Sequence, residues 1–239
     1  MFAINHAATA LVIKKCFPTL PMAALLVSVQ LVEMLWVALN LAGIEHLTTE
    51  AQVSSVADIH LAHMPYSHSI ATSAALALAA WLVLAKLLRR HAAAAAVAIA
   101  ILSHLVLDLL THTPDIALAP FAGDARFGLG LYSLPPLAFA AETAYGLLCW
   151  RVFRGGRKLL AVILVFNLAN LSLFAPGFRG PEALLAREPA WIVAAVAVQI
   201  ALTLLLVWYT SRGRAAELER PENRLAGALA ASRIARPGP

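Results

Sequence analysis

Six apolar runs alternate with short polar segments along the chain, and each is close to the length of a membrane helix. About 20 mostly apolar residues are needed for one helix to cross a bilayer. The runs are rich in Ala and Leu and lack period-two alternation, so they predict helices and no strands. The predicted spans are approximately 20–43, 68–88, 92–112, 131–150, 159–176 and 190–210. A shorter apolar stretch, about 2–13, precedes them and predicts a half-helix.

The composition supports a membrane protein. Of the 239 residues, 61% are hydrophobic and only 13% are charged, whereas a soluble domain is roughly 25% charged. The mean hydropathy is +0.79. Because so much apolar surface cannot be buried in one soluble core of this size, the sequence predicts an all-α, polytopic membrane helical bundle. The membrane domain is expected at 1–210, followed by a basic tail at 211–239.

The positions of Lys and Arg predict the orientation of the bundle. Fifteen of the 18 basic residues lie before the first span, between spans two and three, between spans four and five, or after span six. Cytoplasmic segments carry such an excess, so both termini are expected in the cytoplasm. The loops 44–67, 113–130 and 177–189 are expected on the other side. Since the cations form only small clusters at helix ends, the expected partner is the lipid bilayer and not a nucleic acid, and the oligomeric state stays open.

The third span carries ionisable side chains at a spacing of four residues. His104, Asp108 and His112 follow this spacing, so they form one polar stripe along an otherwise apolar helix. Ionisable groups inside a membrane helix are costly and indicate a functional site. Imidazoles and a carboxylate are ligands that zinc accepts. We therefore expect a site for zinc or another divalent metal on this helix.

A second group of candidate ligands precedes the second span. Asp58, His60, His63 and His68 fall within eleven positions. Ser67 is expected to cap the second span, which places His68 in its first turn.

Candidate site residues from different spans are expected at a similar depth in the membrane. Counted from the basic end of each span at ~1.5 Å per residue, four of them lie between ~21 and ~27 Å from the inner surface. These four are Glu33, His68, His104 and Asp108. Glu142 lies lower, at ~14 Å, and His6 reaches the layer only if the half-helix lifts it by ~12 Å. The shared depth predicts one site built from several helices.

These residues resemble the motifs of a bacterial inner-membrane family, the membrane-bound metal-dependent hydrolases. That family has an early His, an Asp-Ile-Asp-type element, a His-x4-His-Ser element and a Ser-His-x3-Asp-x2-Thr helix. The matching positions are His6, Asp58-Ile59-His60, His63, His68-Ser69, Ser103-His104, Asp108 and Thr111. His60 stands in place of an acidic residue, and Met64-Pro65 in place of Arg-Gly. The resemblance covers roughly residues 1–120 and implies a multi-pass protein of the bacterial inner membrane with a metal-dependent hydrolase site.

The sequence favours a metal-dependent hydrolase that acts near the outer face of the membrane on a lipid-linked ester or phosphoester. The metal ligands are expected among His6, His60, His63, His68, His104, Asp108 and His112. The expected catalytic residues are Glu33, as general base, with Asp58 and Ser67. Two alternatives stay open. One is a cation- or proton-coupled transporter, and the other is a structural membrane subunit with a structural metal.

Overall fold

The structure is a computed structural model that describes residues 1–50, 53, 55–121, 123, 125–175, 177–178, 180, 182–185 and 188–220. Its α-helices are α1 Ala3–Cys16, α2 Met22–Val29, α3 Leu31–Leu41, α4 Ile70–Leu82, α5 His91–Thr111, α6 Pro135–Phe153, α7 Arg157–Ala169, α8 Glu182–Leu185 and α9 Pro189–Glu219. The predicted all-α membrane fold is confirmed. Arg179, Arg187 and the tail residues 221–239 fall outside the described part of the chain.

Three of the described helical segments are long and apolar enough to cross a membrane. They are α5, α9 and the segment Ile70–Leu87, in which a π-helical turn extends α4. The pair α2 and α3, bent by 53°, adds a fourth if it is one broken span. Large apolar side chains such as Leu78 and Val165 are exposed on the surface of the bundle, as expected for a face that contacts lipid. The count of six spans and their orientation stay predictions.

The half-helix α1 lies inside the bundle. Eleven of its fourteen residues are buried, and it packs against α2, α5, α6, α7 and α9. Small residues such as Ala7 and Ala10 let neighbouring helices approach closely. A helix that is too short to span is therefore stabilised by contacts with its neighbours, and its first turn reaches the polar residues of α5.

Two short antiparallel ribbons interrupt the helices, and the expectation of no strands was wrong. β1 His46–Thr49 pairs with β2 Ile59–His63, and β3 Ile116–Ala117 pairs with β4 Arg126–Phe127. Strands of two to five residues are too short to show an alternating pattern. The ribbons lie in the α3–α4 and α5–α6 loops, and a backbone bridge joins the two loops.

The start of α4 differs from the prediction. Ser69, and not Ser67, caps the helix, because the Ser69 side chain accepts the backbone N–H of Thr72 at 3.1 Å. His68 therefore precedes the helix and does not lie in its first turn. This shift leaves the Ser67 hydroxyl available for a different partner.

The basic ends of α1, α6 and α9 meet at one end of the bundle. Lys14 near the end of α1 is fully buried, and its ammonium group donates to Glu219 of α9 at 2.6 Å. Arg214 of α9 donates to the carbonyl of Phe153 at the end of α6 at 3.4 Å. The helix α5 starts directly after Arg90, so its polar residues at 104–112 lie toward the other end of that helix.

Candidate metal centre

The polar stripe on α5 is buried. His104 and Asp108 are each 1% exposed, and His104 Nε2 lies 3.0 Å from Asp108 Oδ2. The spacing of four residues places both side chains on one face of α5. Neither of these two atoms has a hydrogen-bond partner within the described residues. Buried polar atoms left in this state are costly, and a shared proton or cation removes the cost.

The other ring nitrogen of His104 fixes its tautomer. His104 Nδ1 lies 2.8 Å from the carbonyl oxygen of Val29, the last residue of α2. The carbonyls at the end of a helix lack partners inside that helix, so the break between α2 and α3 makes this acceptor available. A carbonyl only accepts, so Nδ1 carries the hydrogen. Nε2 of the neutral ring is then a lone pair, which is the form that binds a metal.

His68 is oriented in the same way by two further residues. Ser67 donates its hydroxyl hydrogen to Glu45 Oε2 at 2.6 Å, and Ser67 Oγ lies 2.9 Å from His68 Nδ1. Because the only hydroxyl hydrogen goes to the carboxylate, Oγ accepts from Nδ1. In the neutral ring, His68 Nε2 therefore presents a lone pair, 3.3 Å from Glu33 Oε2 and 3.6 Å from Asp108 Oδ2.

Glu45, which orients Ser67 and through it His68, is the main functional residue that the sequence did not predict. It is 1% exposed, and its Oε1 accepts the backbone N–H groups of Tyr66 and Ser67, each at 2.8 Å. An acidic residue in a loop is usually solvated. Its partner Ser67 is 22 positions away, so no local pattern signals the contact.

Glu33 of α3 adds a second carboxylate to the group. Glu33 Oε2 lies 3.5 Å from His104 Nε2, and its side chain is 21% exposed. The Nε2 atoms of His68 and His104 each lie 3.0 to 3.6 Å from carboxylate oxygens of Glu33 and Asp108. Ligands at ~2.0–2.1 Å from a tetrahedral zinc ion lie roughly 3.3 Å apart. The arrangement therefore fits a divalent cation.

The helix α1 brings a fifth donor. His6 Nε2 lies 3.2 Å from Asp108 Oδ1, and the His6 ring stacks on His104 with the centroids 3.8 Å apart. Two sets of three donors are close enough to hold an ion, and both include His104. Because the two sets share His104, they adjoin, and we refer to their five residues, Glu33, His68, His104, Asp108 and His6, as the candidate metal centre.

His112 and Asp115 border this centre. His112 Nδ1 lies 3.3 Å from Asp115 Oδ2, and His112 Nε2 lies 3.8 Å from Asp108 Oδ1. The Met1 nitrogen also contacts Asp108 Oδ1, at 2.7 Å. Both His112 and Asp115 line a cavity beside the centre. The pair is therefore placed to exchange protons with a molecule in that cavity.

Ser67 and Asp58, both predicted as catalytic, have other contacts. Ser67 is fully buried and its hydroxyl is engaged by Glu45 and His68. These contacts place Ser67 to orient His68, and its predicted catalytic role stays a prediction. Asp58 accepts the backbone N–H of Ser55 at 2.8 Å and completes a capping box on a 3-10 turn.

His60 and His63, predicted as metal ligands, lie on the ribbon of β1 and β2 and not at the centre. His60 Nε2 lies 3.0 Å from Glu50, and both side chains are exposed. The ring of His63 faces that of His46 across the ribbon, with the centroids 6.2 Å apart. Both side chains are exposed and lie apart from the candidate metal centre, so the metal-ligand roles of His60 and His63 stay predictions that the centre does not support.

Glu142 belongs to a second buried network, which docks α1. Its Oε2 accepts from Asn5 Nδ2 at 2.7 Å and from the Phe2 N–H at 3.0 Å. Its Oε1 accepts from the Tyr132 hydroxyl at 2.9 Å. Asn5 also donates to Asn167 of α7 at 3.1 Å. Glu142 is thus not a donor of the metal centre but holds the end of α1 that faces it.

A cavity of about 330 Å³ lies beside the centre. Glu33, His68, His112 and Asp115 line it on the side of the centre. The remaining wall comes mainly from apolar residues of α3, α9 and the segments after α7. The centre is therefore accessible to a molecule much larger than water.

Long apolar helices around a buried group of histidines and carboxylates define an α-helical membrane protein with a candidate metal centre. The model of the YdjM inner membrane protein family matches residues 33–218, so the chain belongs to this family of inner-membrane proteins. The matched range includes Glu33, His68, His104 and Asp108, whereas His6 precedes it. Comparisons with curated proteins and with solved structures gave no significant match.

Proposed function

We propose that the protein is a metal-dependent hydrolase, with zinc or another divalent cation held by the candidate metal centre. The supporting observation is the pair of lone pairs on His68 and His104, both of which face carboxylate oxygens of Glu33 and Asp108. Each Nδ1 already donates elsewhere. When the rings are neutral, no hydrogen lies between each Nε2 atom and the carboxylate oxygen that it faces. A cation bound between them would satisfy the nitrogen and the oxygen together.

The donor types favour a particular class of cation. Three imidazole nitrogens and two carboxylates suit zinc and other transition metals, whereas calcium and magnesium prefer sites made of oxygen alone. Such a cation, when bound, supplies Lewis-acid activation of water and of the substrate near neutral pH.

Two side chains are placed to move protons. Glu33 lines the cavity and its side chain is partly exposed. Its Oε2 faces His68 and His104, so the other oxygen, Oε1, can accept a proton from the attacking water. His112 also lines the cavity, and its Nδ1 is held by Asp115 at 3.3 Å. His112 can therefore deliver a proton to the leaving group.

The location of the centre supports action at the outer face of the membrane. The helix α5 runs from His91, next to the basic pair Arg89 and Arg90, to Thr111. Asp108 lies in its last turn. If the basic end is cytoplasmic, as the positive-inside pattern predicts, then the proposed reaction occurs near the opposite surface.

Chelation in a hydrolysis assay tests the proposal. Detergent-purified protein is assayed with p-nitrophenyl esters and p-nitrophenyl phosphate, before and after treatment with a chelator. Hydrolysis should stop on chelation and return when zinc is added. His104→Ala should be inactive with or without added zinc, whereas His91→Ala, at an exposed histidine at the other end of α5, should keep its activity.

Two results would contradict the proposal. One is hydrolysis that survives complete removal of the metal, and the other is full activity in His104→Ala. A cation flux into liposomes that depends on Asp108, without any hydrolysis, would instead support the transporter alternative.

A further inference from the structure

We infer that the substrate is an uncharged carboxylic ester with one long apolar chain, which enters the cavity sideways from the membrane. This assignment rests on the proposed hydrolase function and specifies which class of ester reaches the centre. It rests on the polar and apolar parts of the cavity lining, on the exposed edge of the cavity between α7 and α9, and on the charges of the lining residues.

The cavity is polar beside the metal centre, where Glu33, His68 and His112 line it, and largely apolar elsewhere. Apolar side chains form most of the remaining wall, including Trp36, Leu47, Leu173, Leu185, Ile192 and Val196. Ligand sites of this kind bind the apolar part of a molecule by burial and orient it with a few polar groups. A matching ligand joins a hydrolysable group to an apolar chain.

Three of the described residues that line the cavity are exposed: Thr113 in the α5–α6 loop, Ala169 at the end of α7 and Ala195 on α9. The two alanines mark an edge of the cavity between α7 and α9. The helix α9 is apolar and long enough to cross a membrane. Ala195 lies six residues after Pro189, the first residue of α9, which corresponds to ~9 Å along the helix. An opening at this edge faces lipid within one leaflet, so a chain that enters there does not cross water.

The charges along the wall disfavour an anionic head group. Of the described residues that line the cavity, none is Lys or Arg, whereas Glu33, Asp115 and Glu182 carry carboxylates. The Met1 ammonium group also lines the cavity, but it is already paired with Asp108 at 2.7 Å. Proteins usually bind phosphate groups with Arg or Lys. The amides of Gln199 and Asn170 do not compensate, because they bond to each other at 3.1 Å. An uncharged ester avoids repulsion by these carboxylates, whereas a phosphate or diphosphate does not.

Hydrolysis of such an ester requires only water. The water oxygen bonds to the acyl carbon, and the bond between that carbon and the alcohol oxygen breaks. Glu33 takes the proton that the attacking water loses, and His112 gives a proton to the departing alcohol oxygen. The products are a carboxylic acid and an alcohol, so the reaction consumes no oxidant, reductant or other co-reactant.

A chain-length series tests the inference. Zinc-loaded protein in lipid nanodiscs is assayed with p-nitrophenyl acetate, p-nitrophenyl dodecanoate and p-nitrophenyl phosphate. We expect kcat/KM for the dodecanoate to exceed that for the acetate at least tenfold, with no hydrolysis of the phosphate. Because a long chain also concentrates in the lipid, Ala195→Trp is compared with Ala201→Trp, at an exposed site on the same helix that does not line the cavity.

The two variants separate binding in the cavity from partitioning into lipid. Ala195→Trp should remove most of the preference for the dodecanoate, whereas Ala201→Trp should keep it. An unchanged preference in Ala195→Trp, equal rates for both esters, or hydrolysis of the phosphate alone would overturn the inference. Metal-dependent hydrolysis in any of these cases would leave the proposed function in place. The absence of bound metal would overturn both.

Discussion

The carboxylate of Glu45 accepts the hydroxyl hydrogen of Ser67 at 2.6 Å and thereby determines the direction of the next hydrogen bond, from His68 Nδ1 to Ser67 Oγ. The relay turns the lone pair of His68 toward Glu33 and Asp108. A residue with no contact to the proposed cation is thus expected to control its binding.

Replacement of Glu45 tests this relay. Glu45→Ala should lower zinc affinity by ~10–100-fold, as is usual when a group that orients a metal ligand is lost. The affinity is measured by competition with a chromophoric chelator. Glu50→Ala is the matched control, because Glu50 is exposed and its carboxylate contacts His60 at the surface. Equal affinities in the two variants would show that the relay has no role.

Replacement of His6 tests whether α1 contributes a ligand. His6→Ala removes one of five donors, so we expect zinc to bind at least about tenfold more weakly but still at one site. The same competition assay applies, with His63→Ala as the control at an exposed histidine on β2. Wild-type affinity in His6→Ala would exclude His6 from the centre, and its stacking on His104 would then serve packing alone.

Gly146 of α6 is expected to control the docking of α1. A Cβ atom at this position would lie 2.8 Å from Asn5 Oδ1 and 3.0 Å from a methyl carbon of Ile163. Gly146→Ala should therefore destabilise the protein by about 1–3 kcal/mol through overpacking. Thermal unfolding in detergent measures the change. Gly213→Ala, in a helix and with open space around the added Cβ, should be neutral or stabilising, and a similar loss there would contradict the account.

The predicted orientation can be tested by labelling single cysteines with a membrane-impermeant maleimide. In a variant without Cys16 and Cys149, His63→Cys should be labelled from outside intact spheroplasts. Arg157→Cys should be labelled only after the membrane is opened. His63 and Arg157 are both exposed, so the labelling of a cysteine at either position depends on which side of the membrane it faces. The reverse result would invert the topology and place the metal centre near the cytoplasm.

The helical fold follows from the sequence because apolar runs of this length have one stable form in lipid. The break between α2 and α3 was not predictable, because the residues on either side of Gln30, from 22 to 42, include no Gly or Pro. The polar groups at the break find partners on other helices. The carbonyl of Val29 accepts a hydrogen bond from His104 of α5, and the Gln30 side chain donates to the carbonyl of Ala3 in α1 at 2.6 Å.

The candidate site was predictable where its geometry is local. His104 and Asp108 share a helix face, so their spacing alone brings them together. His60, His63 and His68 carry the same side chain within nine positions, and only the strand pairing and the start of α4 decide which one turns inward. The burial of Glu45 depends on a loop folding back on itself, which leaves no periodic signal in the sequence.

Elemental analysis of protein purified in detergent, without added metal or chelator, tests the central claim most directly. The account predicts about one zinc or other transition-metal ion per wild-type chain, loss of that ion in His104→Ala, and its retention in His63→Ala. Wild-type protein that is folded and contains no metal, or His104→Ala protein with an undiminished metal content, would contradict it.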